Sequence, residues 1–190
     1  GKTLAFVHAP GAVAGDVLST RDAAQSITKI TGIAVQARGV QKPVLETVPG
    51  NALYSASTLS YANFPLPVFA VTDTEARAVA KYPDGQTAVA YRDFGAWKSL
   101  FFGGVGMNEF FFNALAKKAG AWVAAPAGNA VYGSQHFLTI HAMYPGEKKV
   151  QLLEPTQVTD LADGRVLAQS TRSLTLPMRR GETRWFHLQK

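Results

Sequence analysis

The sequence predicts an α/β open sheet with flanking helices over residues 1–133, followed by a small antiparallel β-sandwich module over 134–190. Three observations predict it. The stretch Thr87–Gly120 reads as strand, turn, strand, glycine loop, helix. An apolar run at Thr3–His8 is followed by helical spacing, the order of an α/β unit. From Ser134 onward the chain alternates with period two and helix signals stop.

The central stretch is the best specified. Thr87–Tyr91 is a short β-prone run, and Arg92–Trp97 carries Asp93 and Gly95, residues that favour a turn. Lys98–Phe102 is a second strand, and Gly103, Gly104 and Gly106 loosen the chain after it. Asn108 suits an N-cap, because its side-chain oxygen accepts an orphan backbone N–H. Glu109 at one end and Lys117 and Lys118 at the other complement the helix dipole. Gly120 can take the left-handed conformation that ends a helix. Phe111, Leu115 and Ala119 share one face, with Phe112 and Ala116 beside them.

Upstream, Thr3–His8 has the look of a strand buried on both faces, ended by Ala9-Pro10-Gly11. Asp16–Ile30 has helical spacing at Val17, Ala24, Ile27 and Ile30, with Ser19 or Thr20 as cap and Gly32 as stop. Ile33–Gln36 is a candidate strand. Prolines and glycines punctuate Ala37–Pro67, with edge strands expected near Val44 and Ala52–Tyr54. Val68–Val71 is a strand. Asp73 or Thr74 is expected to cap a short helix through Lys81, and Pro83-Asp84-Gly85 is a turn. Downstream, Ala121–Tyr132 is small and loop-like. In the β-module Leu138, Ile140 and Ala142 should point one way and Phe137, Thr139, His141 and Met143 the other. Lys149–Leu153, Thr156–Asp160, Val166–Ala168, Ser173–Leu176 and Thr183–Leu188 follow as short strands, with turns at Asp163-Gly164 and Arg180-Gly181.

Composition narrows the function. With 47% hydrophobic and 17% charged residues, the 190-residue chain is globular. Zero cysteine removes disulfides, thiolate nucleophiles and cysteine metal sites together, and suits either redox environment. The net charge of +6 is spread along the chain without a basic block, which weighs against nucleic acid as a partner. No run of 18 apolar residues argues for a membrane span, and no signal peptide is visible. Gly1-Lys2 reads as a cut end, because a strand begins at once.

Candidate chemistry is sparse. His8 ends a strand before a Pro-Gly turn, the place where ligands sit in open α/β sheets, or it is simply bonded to backbone. His136 and His141 lack metal-ligand spacing, and His187 alternates with Trp185 on the last strand. The acidic residues fall at turns, caps and helix ends, so no carboxylate pair stands out for acid–base work. No G-x-S-x-G elbow is present. The Gly103–Gly106 loop precedes a helix but lacks the Lys-Ser/Thr of a P-loop and the third glycine of a dinucleotide fingerprint. No cofactor, metal or catalytic residue is assigned. Phe94, Trp97, Trp122 and Tyr132 are the candidate aromatic surface, for a sugar or an interface.

The central unit resembles a known domain. Asp73-Thr74-Glu75-Ala76-Arg77-Ala78, then Tyr82-Pro83-Asp84-Gly85-Gln86-Thr87-Ala88-Val89-Ala90, Phe94-Gly95, Lys98–Phe102 and a helix closing in Lys118-Ala119-Gly120-Ala121 carry the resemblance. The pattern is similar to the class I glutamine amidotransferase-like domain of family 42-type β-galactosidases, often called the trimerisation domain. Phe137–Ala142, Val158-Thr159-Asp160 and Arg180-Gly181-Glu182-Thr183-Arg184 resemble the C-terminal β-domain of such enzymes. His8-Ala9-Pro10-Gly11 and Ile30-Thr31-Gly32-Ile33 are similar to stretches of related chains. Thr87 stands where the family has proline, and Ala96 where the hairpin has a second glycine. The resemblance implies a partial flavodoxin-like, amidotransferase-like sheet, truncated at its N-terminus, followed by the β-module. It implies a non-catalytic structural and oligomerisation segment of a larger β-galactosidase-like glycoside hydrolase. The implied partners are an upstream catalytic segment or another protomer. A carbohydrate-binding module using exposed aromatics is the alternative. Amidotransferases use a cysteine nucleophile, which this chain lacks.

Overall fold

A computed structural model describes every residue except 12, 15–16, 19, 40–43, 52, 54–57, 61–66, 105–107 and 190, with 13–14, 17–18, 20–22 and 58–60 described as backbone alone. Among the described residues the protein is β-rich, with two helices and two large sheets. Packing divides it into a first unit, Gly1–Leu115, and a second, Ala116–Lys190.

The first unit contains β1 (Lys2–Val7), β2 (Val13–Ala14), β3 (Val17–Leu18), α1 (Thr20–Thr31), β4 (Val35–Arg38), β5 (Val44–Thr47) and β6 (Thr58–Ser60). It continues through β7 (Val68–Val71), β8 (Arg77–Lys81), β9 (Thr87–Asp93), β10 (Trp97–Phe102) and most of α2 (Glu109–Lys118). An eight-stranded sheet runs β1-β10-β9-β8-β5-β6, with β7 joining β9 and β4 joining β7. β1 and β10 pair in parallel, from Lys2 opposite Trp97 to Val7 opposite Phe102; the other pairings described in this sheet are antiparallel.

Alternation along β7 and β10 sends side chains to two cores. Val68, Ala70, Leu100 and Phe102 pack with Phe111 and Leu115 of α2, and the Phe102 and Phe111 rings meet edge-on at 6.0 Å. Phe69 and Phe101 pack with Ala23 and Ile27 of α1 and with Ile33 and Val35. Each helix therefore buries its apolar stripe on its own core. Asn108 caps α2 through its Oδ1, which accepts the Phe111 N–H at 2.9 Å. Gly120, at φ 74°, closes the helix, with Ala121 N–H donating to the Ala116 carbonyl and Gly120 N–H to Lys117. Gly32, at φ 71°, ends α1 in the same left-handed conformation.

Several expectations change. The Asp73–Lys81 helix is a loop and a strand. Asp73 Oδ1 accepts the N–H groups of Glu75 and Ala76, as a cap would, but the chain then extends, and Arg77–Lys81 pairs with β9 and, at its end, β5. Long-range ladder bonds override the local helical preference of that stretch. The first helix starts at Thr20, because Val17–Leu18 pairs with Val13–Ala14; Asp16 and Ser19 lie outside the described residues. So do Ala52, Tyr54 and Gly106. The strand expected to be buried on both faces, β1, ends the strand order, and its Leu4 and Val7 are exposed.

The second unit is a five-stranded antiparallel sheet. Its strands are β11 (Asn129–Gly133), β12 (Phe137–Ala142), β13 (Gly146–Asp160), β14 (Val166–Met178) and β15 (Thr183–Gln189), in the order β11-β12-β15-β13-β14. β11 arises within the stretch expected to be loop-like. The short strands expected over Lys149–Asp160 and Val166–Leu176 are two long ones. Their pairing slips between Gln151 and Thr156 and twice more before Thr159, and these bulges read in the sequence as strand breaks. Leu138, Ile140 and Ala142 face the core as expected, with Val150, Leu152, Val158, Leu176, Met178, Phe186 and Leu188.

Candidate functional site

His8 follows β1 and is the only non-glycine residue at positive φ (64°) among those described. Its N–H donates to the Phe102 carbonyl at 2.7 Å, and its Nε2 lies 3.0 Å from the Pro67 carbonyl oxygen. A carbonyl only accepts, so Nε2 carries the proton in that contact. The ring lies 5.8 Å from Phe69. The imidazole thus ties the end of β1 to the chain entering β7.

Phe94 and Trp97 meet across the β9–β10 turn. Asp93 Oδ1 accepts the Gly95 N–H at 2.8 Å, and Phe94 N–H donates to the Trp97 carbonyl at 2.9 Å, so the rings stack at 4.8 Å and 14°. The Arg92 guanidinium covers Phe94 at 4.8 Å. A Cβ on Gly32 would come within 2.5 Å of the tip of the Phe94 ring and push it aside, while the φ of 71° itself favours glycine there.

Arg92, on β9, also ties two loops together. Its Nη1 donates to the Gly32 carbonyl at 3.1 Å and to Asp73 Oδ2 at 2.6 Å, and its Nη2 pairs with Glu75. The Asp73 side chain is 6% exposed. Burial pushes its carboxyl up, but the N–H groups of Glu75 and Ala34 and the Arg92 guanidinium outweigh burial and hold it below its ordinary value. Asp160 in the second unit repeats the arrangement. Burial again raises its carboxyl, while Arg184 and the Ala162 N–H bring it below the ordinary value. The Gly103 backbone lies between strands: its N–H donates to the Ala88 carbonyl and its carbonyl accepts from Phe69 N–H, both at 2.8 Å. Gly103 therefore serves close backbone packing.

Trp122 and Tyr132 belong to the second unit. Tyr132 stands opposite Thr139 on β12, whose other neighbour is Trp185 on β15; Tyr132 and Trp185 are both exposed. Trp122, 49% exposed, borders a cavity of about 430 Å³. Leu138, Leu152 and Leu188, all core residues, line it. Gly133 at the end of β11, Ser134 and Gln135 from the β11–β12 turn, and Leu153, Glu154 and Thr156 from β13 complete it. Pro155 has no N–H for the ladder, and the β13–β14 register slips between Gln151 and Thr156, around it. The displaced backbone is held by Thr156 Oγ1 donating to the Glu154 carbonyl at 2.9 Å and Arg172 Nη1 to the Leu153 carbonyl at 3.1 Å.

The structure thus joins Phe94 with Trp97, sets Trp122 at a cavity, and places Tyr132 on a sheet face. Sequence reading did not find Gln135, Glu154 or the cavity. Pro155 inside an alternating run was the available signal. Among the described residues no group of three or more His, Cys, Asp or Glu could hold a metal ion, and no helix is long and apolar enough to cross a membrane.

The fold has known counterparts. Its backbone superposes on part of the β-galactosidase from Rahnella sp. R3 with a TM-score of 0.57 and 19% identity, covering 97% of this chain and 28% of that one. Gan42B, a GH42 β-galactosidase, gives 0.57 and 16%, covering 99% and 28%. The β-galactosidase from Bacillus circulans sp. alkalophilus gives 0.53 and 13%, covering 86% and 25%. The chain spans about a quarter of the length of these proteins. At such identities the likeness is one of fold. No family model and no curated protein matches the sequence.

Proposed function

We propose that this chain is a segment of a β-galactosidase-like glycoside hydrolase, with a structural and oligomerising role and no catalysis of its own. The observation that carries the reading is the near-complete superposition of the chain on about a quarter of three β-galactosidases. On this reading the first unit is the C-terminal part of an amidotransferase-like, flavodoxin-like sheet and the second the C-terminal β-domain. The buried carboxylates support it, since Asp73 is committed to Arg92 and to backbone N–H groups, and Asp160 to Arg184 and the Ala162 N–H. So does β1. A strand at the end of a sheet, with Leu4 and Val7 exposed, is a surface for further chain. The partner proposed there is an upstream catalytic segment or another protomer.

Two measurements test this. The purified chain is expected to leave aryl β-galactosides unhydrolysed; turnover lost on one Asp or Glu substitution within it would overturn the non-catalytic role. In sedimentation the chain is expected to self-associate, and Leu4→Lys to weaken that association. A monomer at high concentration, which does not bind a separately produced catalytic segment either, refutes the interface.

A further inference from the structure

We propose that the solvent face of the second unit's sheet binds an extended, neutral, β-linked oligosaccharide. This goes beyond the role proposed above and does not rest on it. Tyr132 of β11, Thr139 of β12 and Trp185 of β15 stand in one row across three paired strands. Tyr132 is 71% exposed and Trp185 46%, while Leu138, Ile140 and Phe186 fill the opposite face. The row on one side holds Phe137, also exposed, then His187 and Thr159 of β13. The row on the other side holds Ala130, His141 and Thr183.

Charge narrows the partner. No Asp, Glu, Lys or Arg stands in these three rows, every residue of which is described. Exposed charges of the same unit lie elsewhere, among them Glu147, Lys149, Arg172, Arg179 and Arg180. An ionic partner would lose hydration on this face and find no counter-charge in it. The face is nevertheless polar. Its threonine hydroxyls and imidazoles both donate and accept, and His141 Nδ1 lies 2.8 Å from Thr183 Oγ1, so that pair is braced. The core of a protein interface is more apolar than this. A sugar chain is neutral, with C–H patches for the rings and hydroxyls for the groups between them.

Spacing narrows the partner further. Tyr132 and Trp185 stand two strand spacings apart, roughly 10 Å. A pyranose chain linked equatorially at both ends runs straight and turns each ring over from the last. The same ring face therefore recurs at every second sugar, at that same interval. An axially linked chain curls and loses the interval. Thr139 between the two aromatics is short. The β11–β12–β15 ladder fixes the backbone under all three, so a ligand does not have to order it.

The test is fluorine NMR on the intact chain labelled with fluorotryptophan. The chain has three tryptophans, Trp97, Trp122 and Trp185, and Trp185→Phe assigns the resonance of interest. The probes are cellohexaose and cellobiose, with maltohexaose as the axially linked control and a β-1,4-linked oligoglucuronate as the anionic one. Cellohexaose is expected to shift the Trp185 resonance saturably and to bind about tenfold tighter than cellobiose, because only the longer chain spans both rings. Tyr132→Ala, at an exposed position, is expected to weaken cellohexaose about tenfold and bring it to the cellobiose level. Maltohexaose and the oligoglucuronate are expected to bind more weakly than cellohexaose. No shift of Trp185 with cellohexaose at several millimolar overturns the proposal. So does an unchanged affinity in Tyr132→Ala, or equal binding of either control. If Trp185 responds to protein concentration and not to sugar, the face is a protein interface and the proposal falls. Leu4→Lys, far in sequence on β1, is expected to leave the sugar titration unchanged, which separates this result from the sedimentation result.

Discussion

Gly103→Ala is expected to be among the most damaging one-carbon changes in the protein. A Cβ built on Gly103 would lie 1.9 Å from the Phe69 carbonyl oxygen and 3.0 Å from that of Ala88. Both obstacles are backbone, and both strands are tied to Gly103 itself by hydrogen bonds of 2.8 Å. Relief requires β7 and the end of β10 to part. Phe69 and Phe101 would then move against α1, and Phe102 against Phe111. Overpacking costs about 1–3 kcal/mol. A weakened backbone hydrogen bond adds about 0.5–1.5 kcal/mol. Lower entropy of the unfolded chain returns roughly 0.4–1 kcal/mol. The net loss is roughly 0.5–4 kcal/mol and centred near 2, a sizeable part of an ordinary domain's ~5–15 kcal/mol.

Gly95→Ala is the control. Gly95 sits at φ 78° with nothing within 4 Å of its would-be Cβ, so the change strains the backbone and meets no atom. Its cost is the left-handed penalty alone, ~1–2 kcal/mol before the same unfolded-state gain. Urea denaturation of both variants, followed by circular dichroism, gives the comparison. A Gly103→Ala midpoint equal to the parent's, or above that of Gly95→Ala, would refute the close-packing account of the glycine loop.

Phe111→Ala and Leu115→Ala should each lose roughly 2–5 kcal/mol, since both side chains are buried on the α2 core; unchanged denaturation midpoints would sink that assignment. Asp73→Asn should destabilise the first unit at neutral pH. Because the folded carboxyl titrates below its ordinary value of 3.8, its contribution is present above that pH and fades as pH falls through the lower, folded value. The gap between parent and variant should therefore close in acid, and a gap constant from pH 7 to pH 2 would contradict the Arg92 pairing. Asn108→Ala should cost about 1 kcal/mol through loss of the α2 cap, read as a lower melting temperature.

The parts legible in the sequence are those whose cause is local. Asn108 and Gly120 bound α2 because a cap and a left-handed stop act within one turn of the residues they satisfy. Asp93-Gly95 marks the β9–β10 turn for the same reason. Asp73 shows where locality fails. Its Oδ1 behaves as a helix cap, and the sequence that follows suits a helix. Its Oδ2 belongs to Arg92, 19 residues away, and Arg77–Lys81 belongs to β9. Nothing near Asp73 announces either partner. The cavity is less legible again. Trp122, Gln135, Leu138, Glu154 and Leu188 meet only after β12, β13 and β15 have paired, and a bulge looks in sequence like a gap between two strands.

The placement of charge bears on the role proposed for this chain. Hydrolysis of a glycosidic bond by paired carboxyl groups needs one to be protonated at working pH, held up by an apolar surrounding, and one to be ionised. Burial does push Asp73 and Asp160 upward. Arg92 with the Glu75 and Ala34 N–H groups reverses the effect at Asp73, and Arg184 with the Ala162 N–H reverses it at Asp160. Their charge goes into joining loops: Asp73 joins the α1–β4 and β7–β8 connections to β9, and Asp160 joins the β13–β14 turn to β15. Carboxylates held this way are what the proposed structural role expects.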